Sequence, residues 1–249
     1  VMIKDSRIIS SPIFDRPFSS LVVSYDGKAE LANWKNYSYV STEKGQLFSV
    51  EAYNKISWNY HKITLLDHNW GKMSPGASED YRDLVEVVIQ GDIVREIRRG
   101  LPAAEIPEDG YIILASGHQG ATLFQGMEVG EKVTFYPQMT PDLDQLKLAV
   151  GGGTILVQNG RTVPFTEPVA GNHPRTAVGV NRNGNELILV TVDGRHRSFT
   201  GVDGNRLAEI MIELGSEKAL LMDGGGSTTM AIKPLGEMDV VIANNPSDG

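Results

Sequence analysis

The apolar runs in the first two-thirds of this chain are short, and they alternate with polar residues or stop at glycine. A chain punctuated in this way folds as hairpins, because Asp-Gly and Asn-Gly favour turns whose twist matches that of paired strands. "SSLVVSYDGKAEL" turns at Asp26-Gly27, and "DLVEVVIQGDIVREIRRG" turns at Gly91-Asp92. "GYIILASG" and "GEKVTFYPQM" are further strands, and "LAVGGGTILVQNGRTV" gives two more, joined at a glycine triplet.

The last third is organised differently. "RTAVGVN" and "ELILVTV" flank "RNGN", an antiparallel hairpin about Asn183-Gly184. Leu207, Ile210, Met211 and Leu214 then fall at i, i+3, i+4 and i+7, the stripe of an amphipathic helix. Asp203 suits its N-cap, and Gly215 stands where a helix C-terminus takes glycine. "KALLM" follows as a short buried strand, so strand, helix and strand predict a βαβ crossover with two parallel strands. The expected fold class is α+β. A β-rich N-terminal region packs with a C-terminal mixed sheet carrying the hairpin and the βαβ crossover. No linker divides the chain, so one domain is expected over 1–249, with a β-rich region at 1–160 and an αβ region at 161–249.

With 41% hydrophobic and 22% charged residues, the chain has the composition of a globular protein. Its net charge is -8 and it has no basic run, which argues against nucleic acid as a partner. An anionic substrate needs a local cationic pocket working against that overall field. The chain contains no cysteine, which excludes disulfides, thiolate nucleophiles and Cys-based zinc sites. No apolar run is long enough to span a bilayer and no signal-type segment is visible, so membrane insertion is not expected. Both ends read as trimmed from something longer.

"LLMDGGGSTTMAI" (220–232) is the segment with chemistry in it. Glycine weakens a packed element, so Gly224, Gly225 and Gly226 after Asp223 make either a tight turn or a backbone opened to a ligand. A glycine run followed by Ser227 and Thr228 can aim successive N–H groups at an anion. It is not a Walker A loop, since no lysine follows the glycines. "LAVGGGTILV" (148–157) echoes the pattern with Val150 in place of the carboxylate, and there a structural bend is expected.

If the strands of the crossover are parallel, Asp193-Gly194-Arg195 and Asp223 to Gly226 leave the sheet at one edge, where α/β arrangements bind ligands. The hairpin brings "HPRTA" (173–177) to the same edge. Arg175, Thr176, Asp193, Arg195, Asp223, Ser227 and Thr228 thus share one neighbourhood. Paired carboxylates are the equipment of glycoside hydrolysis, and the rigid fork of arginine suits phosphate. Each feature also has a plain alternative. Asp193-Gly194 can be a strand-end turn, and the arginines can pair with surface acids. His173 and His196 lack metal-ligand spacing; Asp193, Asp203, Asp223 and Asp248 could jointly hold calcium, but they form no EF-type loop, so neither a metal nor a cofactor is the expectation.

Together "HPRTAVGV", "LILVTVDGR", "LAEIMIELGSEKALLMDGGGSTTMAI" and the closing "NNPSDG" resemble the phosphodiester glycosidase family, in order from His173 to Gly249. The likeness is looser upstream, where Asn54 and Gly151 to Gly153, including Gly152, resemble the family's Asn-containing and glycine-rich segments. The family's opening Asn-Gly-Gly-Phe-like strand and its closing arginine and strand have no counterpart in this sequence. The resemblance implies hydrolysis of the bond between a sugar's anomeric carbon and a phosphate oxygen, of the N-acetylglucosamine-1-phosphodiester type, on an extracellular or cell-surface glycan. By motif, Arg175 and Thr176 match the "PRT" segment, Asp193 and Arg195 the "DGR" segment, and Asp223 to Thr228 the "DGGGS" segment. Asn245, Ser247 and Asp248 match the "N-PSDG" segment.

The expected mechanism gives the phosphate to Arg175, helped by Arg195 and the N–H groups near Gly224 to Ser227. Asp223 or Asp193 then acts on the anomeric carbon, directly or through water. Two other classes compete: a non-catalytic module that binds anionic glycans, and a structural domain of a surface assembly. The first needs the arginine and the glycine loop but neither carboxylate, and the second needs no pocket.

Overall fold

The computed structural model describes residues 1–12, 18–56 and 60–247 of the chain. These are mostly strands in several sheets, with two α-helices, Gly117–Gly126 and Gly204–Glu213. The chain divides into two compact units, Val1–Phe14 with Trp34–Gln145 and Asp15–Asn33 with Leu146–Gly249.

In the first unit the hairpin Val85–Gln90 and Ile93–Arg99 forms around Gly91 (φ 56°) and Asp92 (φ 62°), the two left-handed positions of a type I′ turn. Gly110–Ala115 pairs with the other side of Val85–Gln90, and Thr64–Leu66 pairs beyond it, both antiparallel. Helix Gly117–Gly126 contributes Leu123 to a core with Val87, Ile89 and Ile113. Val133–Tyr136, Tyr39–Thr42 and Leu47–Ser49 form a separate three-stranded sheet, which adds Val40 and Phe48 to that core.

The second unit begins with the hairpin β1 (Ser20–Ser24) and β2 (Ala29–Ala32), turning at Gly27 (φ 80°). Strand β3 (Leu146–Gly151) pairs with β1. A second sheet holds β4 (Ile155–Gln158), β5 (Arg161–Thr162), β6 (Arg175–Val180), β7 (Leu187–Val192) and β8 (Lys218–Leu221), in the order β5-β4-β8-β6-β7. Helix α1 (Gly204–Glu213) joins β7 to β8, capped by Asp203, whose side chain accepts from the Arg206 N–H at 2.8 Å. A short hairpin, β9 (Ala231–Ile232) with β10 (Val241–Ile242), follows.

The period-2 alternation of β6 sorts its side chains between two layers. Ala177 packs with Leu207, Ala208 and Met211 of α1, whereas Val178 and Val180 pack with Leu21 and Ala29 of the β1–β2 hairpin. Full burial of Leu207 and Met211 contributes roughly 1.5–3 kcal/mol each relative to leaving them exposed.

The crossover strands β7 and β8 are parallel to each other but do not touch. Strand β6 lies between them, antiparallel to both, and every neighbouring pair in this sheet is antiparallel. The expectation of a mixed sheet is corrected here. The hairpin partner of β7 fills the space that a direct βαβ unit leaves for its own second strand.

Candidate functional site

Because β6 runs against both neighbours, the entry to β6 and the exits from β7 and β8 meet at one edge of the sheet. The register fixes this: Arg175 pairs with Val192, and the Met222 N–H donates to the Thr176 carbonyl at 2.9 Å. Gly225 donates its N–H to the Pro174 carbonyl at 2.9 Å. On the other side, a Cβ on Gly194 would lie 2.7 Å from Pro174 N and 2.9 Å from the Thr200 carbonyl, so only glycine fits there. The three segments 173–176, 193–195 and 222–228 therefore adjoin.

The glycine loop is bent at Gly225 (φ 63°), which enters a single 3-10 turn over Gly225–Ser227. Its N–H groups are largely used within the protein. Gly224 donates to Asp223 Oδ1 (2.9 Å), Ser227 to the Gly224 carbonyl (3.3 Å) and Thr228 to the Gly225 carbonyl (3.1 Å). Of the five amides from 224 to 228, only that of Gly226 has no protein acceptor among the described residues. Arg195, itself at φ 56°, lays its guanidinium against this loop: a Cβ on Gly225 would stand 2.9 Å from Arg195 Nη2. Asp223 and Ser227 are exposed.

Arg175 and Thr176 are neighbours in sequence, and alternation sends them to opposite faces of β6. The Arg175 fork turns to the α1 side, where Nε donates to the Val202 carbonyl (3.2 Å) and Nη2 to those of Ala170 (2.9 Å) and Gly171 (3.1 Å). Burial lowers the pKa of this guanidinium from its ordinary value, and the charge of Asp203 opposes that shift. Thr176 faces the other way. Its Oγ1 lies 3.4 Å from that of Thr228, which is buried, and it lines a cleft of about 330 Å³ with Leu189, Thr191, Met222 and Met230. Apart from its threonines this cleft is apolar.

Asp193, half-buried after β7, is held by the segment that follows β10. The Asn245 N–H lies 3.0 Å from each of its carboxylate oxygens, and Asn244 Nδ2 donates to Oδ1 at 3.0 Å. Sequence reasoning chose Asn245 and passed over Asn244. Two adjacent asparagines look alike in a sequence, and only the register of the β9–β10 hairpin tells their side chains apart.

Asn54 belongs to the first unit, where it adopts φ 47° and is buried. Its Nδ2 donates to the Ile9 carbonyl (3.0 Å), and its Oδ1 accepts the Asp67 N–H (2.8 Å). Gly152 donates to the Ser19 carbonyl at 3.0 Å and packs against β8, since a Cβ there would lie 2.5 Å from Leu220 Cδ2. Asp248 lies outside the described residues. His196 stacks on Phe199 with ring centroids 4.4 Å apart. Among the described residues no cluster of acidic or histidine side chains could hold a metal ion, and no helix is long and apolar enough to cross a membrane.

Comparison with known proteins gives this edge a context. Residues 83–249 match the phosphodiester glycosidase family. An SPβ prophage-derived uncharacterized protein, YomE, of Bacillus subtilis (strain 168) is 36% identical over 77 residues, 31% of this chain and 11% of its own. Two crystal structures share the fold. A hypothetical protein from Synechocystis has a TM-score of 0.76 at 24% identity, covering 92% of this chain and 43% of that one. A putative exported protein from Burkholderia pseudomallei K96243 has a TM-score of 0.75 at 20% identity, covering 92% and 55%. The chain thus spans about a tenth of the curated relative and about half of each solved one.

Proposed function

The chain belongs to the phosphodiester glycosidase family, and we propose that it hydrolyses the bond between the anomeric carbon of a sugar and a phosphate oxygen of a sugar-1-phosphodiester. The observation that carries this reading is the meeting at one sheet edge of the segments that bear two carboxylates, Asp193 and Asp223, with an arginine laid on a glycine loop. The proposed setting, an extracellular or cell-surface glycan, rests on the family resemblance.

In this mechanism Arg195 takes the principal phosphate contact, because its guanidinium already lies on Gly225. Arg175 has Nε and Nη2 on carbonyls, so it secures the 170–171 backbone beside the site and adds charge through Nη1. Thr176 offers a hydroxyl backed by that of the buried Thr228, and among the described residues the Gly226 N–H is the loop amide left for an oxyanion. The leaving group is a phosphate monoester, already stable as an anion, so fixed positive charge does most of what a general acid would otherwise do. Asp223 is exposed and lightly held, and it acts on the anomeric carbon directly or through water. The doubly clamped Asp193 supplies a fixed negative charge as the carbon becomes cationic.

The test is a panel of sugar-1-phosphodiesters varying in sugar and aglycone, run in 18O water. The expected products are reducing sugar carrying the label and an unlabelled phosphate monoester. Label on phosphate would mean P–O cleavage and would overturn the chemistry, and binding without turnover would leave a carbohydrate-binding module. Asp223→Asn is expected to lower turnover by about 10²–10⁴-fold with the fold intact. Undiminished activity in that variant removes Asp223 from the mechanism.

A further inference from the structure

Asp193 owes its orientation to a neighbour of the candidate Asn245, the first asparagine of the closing "NNPSDG". The Asn244 side chain closes three hydrogen bonds: Nδ2 donates to Asp193 Oδ1 (3.0 Å) and to the Thr228 carbonyl (3.0 Å), and Oδ1 accepts the Met230 N–H (2.7 Å). Flipping the amide would set its oxygen against a carboxylate and a carbonyl and its nitrogen against an N–H, so the network admits one orientation. Asn244 itself is anchored from behind, since the Ala243 N–H donates to the Met230 carbonyl at 2.7 Å beside the β9–β10 ladder.

We propose that Asn244 is the positioning residue of this site, fixing the Asp193 carboxylate and tying it to the glycine loop through Thr228. It acts in two directions. Toward β7 it holds Oδ1, while the Asn245 N–H straddles both oxygens, so the plane of the carboxylate is set by donors on one segment. Toward β8 it holds the carbonyl of Thr228, whose hydroxyl meets that of Thr176. The exit of β7 and the exit of β8, which share no direct strand pairing, are thereby held at one spacing. A carboxylate that must face a developing positive charge gains from such rigidity, because the charge needs no reorganisation when the bond breaks. This role rests on the proposed hydrolysis.

Two variants separate positioning from mere support. Asn244→Asp keeps the shape and the acceptor for Met230, but it turns an anionic oxygen toward Asp193 and the Thr228 carbonyl. Asn244→Ala removes all three bonds without adding charge. On a substrate that the unaltered protein cleaves, Asn244→Ala is expected to lower kcat about tenfold and Asn244→Asp to lower it further, with KM little changed in both. A purely supporting role predicts that melting temperature and active fraction fall together, Asn244→Ala being the worse, with kcat per active molecule unchanged; that outcome overturns the proposal. A second readout does not depend on turnover. Amide exchange at Asn245 is expected to speed up several-fold in either variant while the Leu207 amide in α1 keeps its rate. If no phosphodiester is cleaved, the proposed hydrolysis fails, and the exchange experiment still decides on the clamp: unaltered exchange at Asn245 overturns it.

Discussion

The second unit contains the same word twice, three glycines after an apolar strand, and the two copies serve opposite needs. At Gly151 to Gly153 the missing side chain makes room for packing. Leu220 occupies the space a Gly152 Cβ would need, and the amides of Gly152 and Gly153 go to the carbonyls of Ser19 and Leu221. At Gly224 to Gly226 the missing side chain permits a bend: Gly225 sits at φ 63° beneath the Arg195 guanidinium, with an exposed Asp223 before it and an exposed Ser227 after it. The first triplet meets leucine and backbone, and the second meets a charge. A glycine run by itself therefore says nothing of ligands, and its neighbours in space decide what it is for.

The contrast is open to direct attack. After Asp223→Asn, the largest effect is expected from Arg195→Met, which removes the charge over the second triplet and leaves the first untouched. Catalytic efficiency should fall by about 10–100-fold, the worth of a hydrogen bond to a charged group, with little change in melting temperature. An unchanged efficiency would reduce the second triplet to a turn. Next comes Gly152→Val, expected to cost about 1–3 kcal/mol of stability in denaturant titration, because Leu220 and the Leu221 carbonyl cannot both retreat. Activity per folded molecule should hold, and a selective loss of activity would make the first triplet part of the site.

Gly225→Ala is smaller and mixed. The left-handed backbone costs about 1 kcal/mol or somewhat more, while the crowding falls on the movable end of Arg195. Its signature is a rise in KM accompanying a modest loss of stability. Thr176→Val is the mildest, since the contact with Thr228 is long; a stability change of about 0.5 kcal/mol is expected, with a shift in substrate preference as the readout.

Much of the local structure was legible in the sequence because its causes are local. Gly27, Asp92 and Gly184 turn their hairpins at positive φ, and Asp203 caps a helix whose stripe buries Leu207 and Met211. Helix Gly117–Gly126 was not legible: glycine stands at both its ends and at Gly120 inside it, and no continuous apolar stripe marks it. Gly120 is there because a Cβ would lie 2.6 Å from the Ala115 carbonyl, a tertiary reason that no window of sequence contains. The insertion of β6 between β7 and β8 is likewise a non-local choice.

The site divides in the same way. Topology brought the segments holding Arg175, Asp193, Arg195 and Asp223 to one edge, and connectivity alone suggested as much. The direction of the Arg175 fork was hidden, because it depends on where the carbonyls of Ala170, Gly171 and Val202 come to rest. The N–H groups of the glycine loop were hidden too, since a 3-10 turn folds them inward rather than fanning them outward.

The interleaving of the second unit governs how it can be made. Leu21 and Ala29, near the start of the chain, share a core with Val178, Val180 and Leu220, so these contacts close loops of well over a hundred residues. On the ribosome the early hairpin emerges long before its partners and must wait, with its apolar face uncovered, until β8 has been synthesised. Severing the polypeptide near residue 145 would not liberate a self-sufficient C-terminal half; it would strip that half of one wall of its own interior.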